Sequence, residues 1–306
     1  MSRIQDILSK AERDGTVRRT RAFTDDARPT SRPLSPVPSI GHTAEDRSAP
    51  HTPSVVATGG WATASGNLAP VLAPPPSERT LELDSRLVAA LAPTSLAAEQ
   101  YRSLRTRIKR SEGNRSIRTM VVTSPSKGDG KSLTAANLAL TMGQEFQQRI
   151  LLVDADLRRP TINRLFGIEE GPGLADVLMG GAELDQVLVP LAEYHLTVLP
   201  AGTLPSHPAE LLGSSAMRRV LDTLRNRFDR ILIDMPPVAP LADLHIVAPL
   251  VDGLLMIVRA GITPKPAIER ALAGLDVSKV LGLVLNESGS DATTRDAYQG
   301  YGYIAG

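Results

Sequence analysis

The chain has 306 residues, 22% of them charged and 42% hydrophobic, with a formal net charge of +1. That is enough chain for one large α/β domain or two small ones, and the balanced charge provides no global basic field for nucleic acid. Cysteine is absent, which excludes a disulfide framework, a cysteine-ligated zinc site and a cysteine nucleophile and fits a reducing cytoplasm. In chain order, residues 1–15 read as a short amphipathic helix. Ile4, Ile7, Leu8 and Ala11 fall at helical spacing, Ser2 and Gln5 form a capping box, and Gly15 is a stop. Residues 16–80 read as a disordered linker rich in Pro, Ser, Thr, Ala and Arg, with too little apolar surface to offset the entropy of ordering it. Residues 81–295 alternate apolar strand patterns with helical ones, which predicts a mostly parallel sheet flanked by helices. The strand candidates are 117–123, 149–154, 195–199, 229–234, 252–258 and 280–286, several of them near-continuous apolar runs of the kind buried on both faces. Residues 296–306 read as a flexible tail. No uncharged apolar run approaches the ~18 residues of a membrane span, and the start lacks a signal-peptide pattern, so any membrane role is expected to be peripheral.

The first strand runs into Ser124-Pro125-Ser126-Lys127-Gly128-Asp129-Gly130-Lys131-Ser132, followed by a helical pattern through Leu133, Leu138, Leu140 and Met142. Strand, glycine loop and helix are the context of a phosphate-binding loop. Gly128 and Gly130 let backbone N–H groups turn toward phosphate oxygens, and the helix N-terminus adds partial positive charge. Lys131 has the reach for β- and γ-phosphates and Ser132 the hydroxyl for Mg²⁺. Residues 126–133 are therefore the candidate nucleotide-binding set: Ser126, Lys127, Gly128, Asp129, Gly130, Lys131, Ser132 and Leu133. Two acidic strand ends follow. The second strand ends in Asp154-Ala155-Asp156-Leu157-Arg158-Arg159-Pro160, and the fourth in Ile233-Asp234-Met235-Pro236-Pro237. An acid just past a buried strand beside a phosphate loop is a typical Mg²⁺ holder. Asp154, Asp156 and Asp234 together with Lys131 are the candidate catalytic set.

Three of the five tyrosines, Tyr298, Tyr301 and Tyr303, lie in the last nine residues, between glycines. Tyrosine favours half-buried sheet positions, so this cluster is unusual for packing. With a nucleotide site in the same chain, it points to a kinase that phosphorylates itself or its neighbour.

On these motifs the chain resembles the bacterial tyrosine kinases, the cytoplasmic autokinases of capsule and exopolysaccharide systems, over roughly residues 90–303. The resemblance rests on the phosphate loop, on residues 152–160, on residues 231–237 and on the tyrosine tail. Glu99, Arg102 and Arg105 match the family's Glu-x-x-Arg-x-x-Arg element, and residues 258–264 and 281–286 look like later strands of the same domain. The opening Ser2-Arg3-Ile4-Gln5-Asp6 is similar to stand-alone members, some of which accompany exosortase-linked clusters. The resemblance implies a P-loop NTPase of the MinD/ParA-like type with ATP and Mg²⁺ as cofactors. Lys131 would hold the phosphates, and Ser132, Asp156 and Asp234 would organise the metal. Asp154 would orient or deprotonate the attacking tyrosine; the sequence leaves open an exchange of roles between Asp154 and Asp156. It further implies a homo-oligomeric ring contacted through Glu99, Arg102 and Arg105, in which each tail enters the next subunit's site. The implied activator is the cytoplasmic tail of a membrane chain-length regulator, and the implied place is the cytoplasm, peripheral at the inner face of the plasma membrane.

The alternative is an ATP-driven switch or positioning protein of the MinD/ParA-like kind without kinase activity. Some of those carry an extra lysine five residues before the main one, a position that is Ser126 here, and the tyrosine tail also disfavours them. His207 reads as a turn or helix-start residue.

Overall fold

Seven short runs of mainly apolar residues form the strands of a single sheet in the computed structural model, which describes residues 82–113, 115–145, 148–238 and 243–287. They are β1 (Thr119–Thr123), β2 (Ile150–Asp154), β3 (Val189–Leu191), β4 (Leu196–Leu199), β5 (Arg230–Asp234), β6 (Gly253–Arg259) and β7 (Val280–Asn286). The α-helices are α1 (Val88–Leu91), α2 (Leu96–Ser111), α3 (Lys131–Gly143), α4 (Ile162–Leu165), α5 (Leu174–Leu178), α6 (Leu184–Val187), α7 (Pro208–Leu212), α8 (Ser215–Arg227), α9 (Asp243–Val247) and α10 (Lys265–Ala273). The expected 1–15 helix, the 16–80 linker and the tail with Tyr298, Tyr301 and Tyr303 lie outside the described residues.

The strand order is β3-β4-β2-β5-β1-β6-β7, with every pairing parallel except that of β3 with β4. The six strands expected from sequence are present to within two residues at each end. β3 was not expected; it is three residues long, contains Pro190 and lies at the sheet's edge, where proline is tolerated.

Successive strand residues point to opposite faces, and both faces are buried. Val121, Leu151, Val153, Ile231, Ile233, Leu254 and Met256 pack with α5, α8, α9 and α10 on one side. Met120, Val122, Ile150, Leu152, Leu232, Leu255 and Ile257 pack with α1, α2 and α3 on the other. The deepest helix is α3, in which every residue from Thr134 to Gly143 is buried. α2 and α8 begin at serine caps, the Ser95 and Ser214 side chains accepting from the backbone N–H of Ala98 and Met217. Among the described residues no helix is long and apolar enough to cross a membrane.

Candidate nucleotide and phosphoryl-transfer site

Parallel strands deliver their C-terminal ends to one edge of the sheet, where open α/β folds bind ligands. At that edge Asp154 and Asp234 are register partners on β2 and β5, and Val122 of β1 pairs with Asp234 from the other side. The sheet thus brings together the phosphate loop after β1 and the acids at the ends of β2 and β5, although Lys131 and Asp234 are 103 residues apart in sequence.

Gly128 and Gly130 in the phosphate loop have φ of +87° and +90°, the left-handed region that favours glycine. Gly130 immediately precedes the first residue of α3. A Cβ placed on it would lie 2.0 Å from Asn286 Nδ2. Gly130→Ala is therefore expected to combine backbone strain of about 1–3 kcal/mol with a displaced Asn286 amide. It should lower the melting temperature and weaken nucleotide binding together; unchanged titrations with a fluorescent ADP would contradict this.

The loop is held by residues that sequence reading did not connect. Asp129 is 2% exposed; its carboxylate accepts from Ser126 N at 2.8 Å and from Thr263 Oγ at 2.7 Å. Asn286 Nδ2 donates to the Asp129 carbonyl at 3.0 Å. Ser124 Oγ donates to the Ser126 carbonyl. Lys127 stands exposed at the loop's tip, and Leu133 is half-buried in the first turn of α3. The loop's shape is thus built in by partners from β7 and from the turn after β6.

Lys131 is the hub of the charged cluster. Its Nζ lies 2.8 Å from Asp156 Oδ2, 3.4 Å from Asp234 Oδ1 and 2.9 Å from Ser132 Oγ. Burial works to lower its pKa, but Asp234 and Asp156 outweigh that and hold it above the ordinary value. Asp234 is fully buried, and burial pushes its carboxyl upward against the pull of Lys131 and Ser132. Asp154 is also fully buried; burial first, then the charge of Asp234, raise it to about 7. Its Oδ2 accepts from the backbone N–H of Thr161 and Ile162 and its Oδ1 from that of Asp156, so it anchors the turn that carries Asp156. Asp156 is buried as well, and its Oδ1 accepts from Arg159 N.

Glu99, Arg102 and Arg105 lie on α2, apart from the strand ends that carry this cluster. Glu99 and Arg102 pair within α2 at 2.7 Å, both partly exposed. Arg105, six residues on, is about 120° around the helix from Glu99, with Arg102 midway between them. Its guanidinium donates to the Thr141 carbonyl of α3 at 2.6 Å and lies 3.4 Å from Glu145. His207 precedes α7 as its N-terminal flanking residue, with an exposed contact to Glu210.

A family model described as "ParA: NUBPL iron-transfer P-loop NTPase" matches residues 116–293, more than half the chain. The chain is 35% identical over 226 residues to tyrosine-protein kinase YwqD of Bacillus subtilis, covering 73% of this chain and 94% of that one. The chain belongs to the bacterial tyrosine kinases. Among this family it is 34% identical to tyrosine-protein kinase Wzc of Salmonella typhi, matching 72% of its own length but only 30% of Wzc. The kinase domain of Escherichia coli tyrosine kinase ETK superposes with a TM-score of 0.63 at 27% identity, covering 67% of this chain and 82% of that one. These kinase relatives favour the kinase over the positioning-protein alternative.

Proposed function

We propose that this chain is an ATP-dependent protein-tyrosine autokinase, with a catalytic unit at 81–295 and acceptors Tyr298, Tyr301 and Tyr303 in the tail at 296–306. The observation that carries this reading is the convergence of Lys131, Ser132, Asp156 and Asp234 within hydrogen-bonding or ion-pair distance of one ammonium.

A nucleotide phosphate fits this site. The glycines at positive φ turn the loop, with open space beside Gly128, and the Lys131 ammonium is held by anions a phosphate can replace. A divalent cation fits as well. Among the described residues no group of three or more His, Asp or Glu is arranged to hold one unaided. The Ser132 hydroxyl and the Asp156 and Asp234 carboxylates supply hard oxygen ligands, and the nucleotide's own oxygens complete the set, as is usual for Mg²⁺. Bound there, Mg²⁺ neutralises charge on the phosphates.

The protein's residues then do three things. The latched loop and Lys131 orient the γ-phosphoryl group. Asp154 holds the turn bearing Asp156 and, with a pKa near 7, takes the tyrosine proton, exchanging a backbone N–H for the incoming hydroxyl. The buried acids around Lys131 exclude water from the ammonium. Phosphoryl transfer needs this positioning and charge balance more than covalent help.

The acceptor is the tail of a neighbouring subunit in a ring, assembled through the partly exposed Glu99–Arg102 side of α2, while Arg105 braces its own α3. Three phosphotyrosines add about −5 to −6 charges to that tail, which repels it from the acidic site and loosens the ring. Replacing Tyr298, Tyr301 and Tyr303 with glutamate is expected to shift the sedimentation profile toward monomer; an unchanged profile counts against the ring switch. The activator is the cytoplasmic tail of a membrane chain-length regulator, which brings the protein to the inner face of the membrane and ties its cycle to capsular or exopolysaccharide polymerisation and export. The deciding experiment is mass spectrometry after incubation with ATP and Mg²⁺, with and without activator peptide. Phosphate on the tail tyrosines supports the reading. ATP hydrolysis without modified tyrosine, even with activator, rejects it.

A further inference from the structure

Arg158 lies two residues beyond Asp156 in the turn after β2 and is exposed. Its guanidinium is clamped edge-on. Nε and Nη2 donate to Asp243 at 2.8 and 3.0 Å, and Asp243, at the start of α9, is 1% exposed. A bidentate pair of this kind fixes the plane of the guanidinium. Both hydrogen-bonded nitrogens are on the Asp243 side; among the described residues Nη1 has no hydrogen-bond partner. Asp156, which pairs with the Lys131 ammonium, is two residues away in the same turn.

The charge balance of the site asks for such a group. Three carboxylates, Asp154, Asp156 and Asp234, surround one ammonium, that of Lys131. The extra lysine that some positioning ATPases carry is Ser126 here. Lys127 is at the exposed tip of the loop, on a long flexible stem, whereas Arg158 is held by a buried anion. Preorganised donors aimed at developing charge stabilise a transition state because they need no reorganisation during the reaction.

Resting on the kinase reading, the geometry points to Arg158 as a catalytic residue that supplies positive charge to the transferring phosphoryl group from within its own chain, with Asp243 as its positioning residue. In the step, the bond from the γ-phosphorus to the ADP oxygen breaks and a bond from phosphorus to the tyrosine oxygen forms. The tyrosine proton goes to Asp154. Arg158 donates hydrogen bonds to the equatorial oxygens and keeps its protons throughout.

The test measures ADP affinity of the full chain in Mg²⁺ with and without aluminium fluoride, which with ADP mimics the transferring phosphoryl group. Wild type should bind ADP more tightly with fluoride present. Arg158→Ala should lose that gain by about a hundredfold while binding ADP alone within about threefold of wild type. Arg158→Lys should recover little of it, since an ammonium cannot keep both Asp243 bonds and reach the phosphoryl oxygens. Arg158→Ala leaves Asp243 buried and unpaired, so an Arg158→Ala, Asp243→Asn double variant is measured beside it. Restored melting temperature without restored fluoride gain separates the catalytic role from a structural one. A wild type with no fluoride gain, or an Arg158→Ala variant or double variant that keeps it, overturns the assignment. Phosphotyrosine formation by wild type, run alongside, tests the kinase reading separately.

Discussion

Lys131→Met is expected to reduce phosphotyrosine formation by at least about a thousandfold. Two effects add. The phosphates lose the ammonium that orients them and matches their charge. The acids lose their shared partner, because Lys131 is the cation paired with both Asp156 and Asp234 among the described residues. Asp234 is fully buried, and a buried carboxylate without its cation either takes a proton or costs about 3–5 kcal/mol. Protonation then removes the ligand character that a divalent cation needs, so the metal side of the site fails along with the phosphate side. The same reasoning gives a stability signature. The melting temperature of the variant should lie further below wild type at pH 8 than at pH 5, because at the lower pH the orphaned acids are more readily protonated. Thermal scans across that range, with the variant compared to wild type at each pH, check this. Activity above about a tenth of wild type, or a gap that does not change with pH, would remove Lys131 from the centre of the site.

The fold was legible where a local pattern decides it. Both faces of the central strands are covered, so Ile150-Leu151-Leu152-Val153 and Ile231-Leu232-Ile233 read as continuous apolar runs. β3 was not legible, because Val189-Pro190-Leu191 is short, carries a proline and pairs only at an edge. The phosphate loop was legible from its glycines and its place between a strand and a helix. The latch that shapes it was not. Asp129 meets Thr263 and Asn286 across 134 and 157 residues, and no periodicity links such positions. The clamp of Arg158 by Asp243 spans 85 residues and is hidden for the same reason. Glu99, Arg102 and Arg105 show the opposite limit. The motif is plain in sequence, but the bond of Arg105 to the Thr141 carbonyl of α3, beside the Glu99–Arg102 pair within α2, is not.

Asp154→Asn should separate activity from stability in a way that identifies the proton acceptor. In the folded protein burial and the neighbouring Asp234 raise Asp154 to about 7, against roughly 3.9 for an unperturbed aspartate. Between those values the folded chain holds a proton that the unfolded chain has released. Stability therefore falls as pH rises from about 4 to about 7 and is level above that. Asparagine has no such charge to bury. At pH 8 the variant should melt no lower than wild type, and any advantage should shrink as pH falls toward 5. The rate should move the other way. A base must be ionised, so wild-type kcat should climb about tenfold per pH unit below 7 and then level off. Because Asp154 and Asp234 sit on adjacent strands, that limb belongs to the pair. The variant should lose about a hundred- to a thousandfold in kcat, with the limb flattened. The competing role is anchoring, since Asp154 accepts three backbone N–H bonds. Asparagine offers one carbonyl oxygen in place of two carboxylate oxygens, so a pure anchor would show lowered melting temperature at every pH and an intact acid limb. Measured pH–rate and pH–stability profiles of the two proteins distinguish these outcomes, because only a base couples a large loss of rate to unchanged or improved stability.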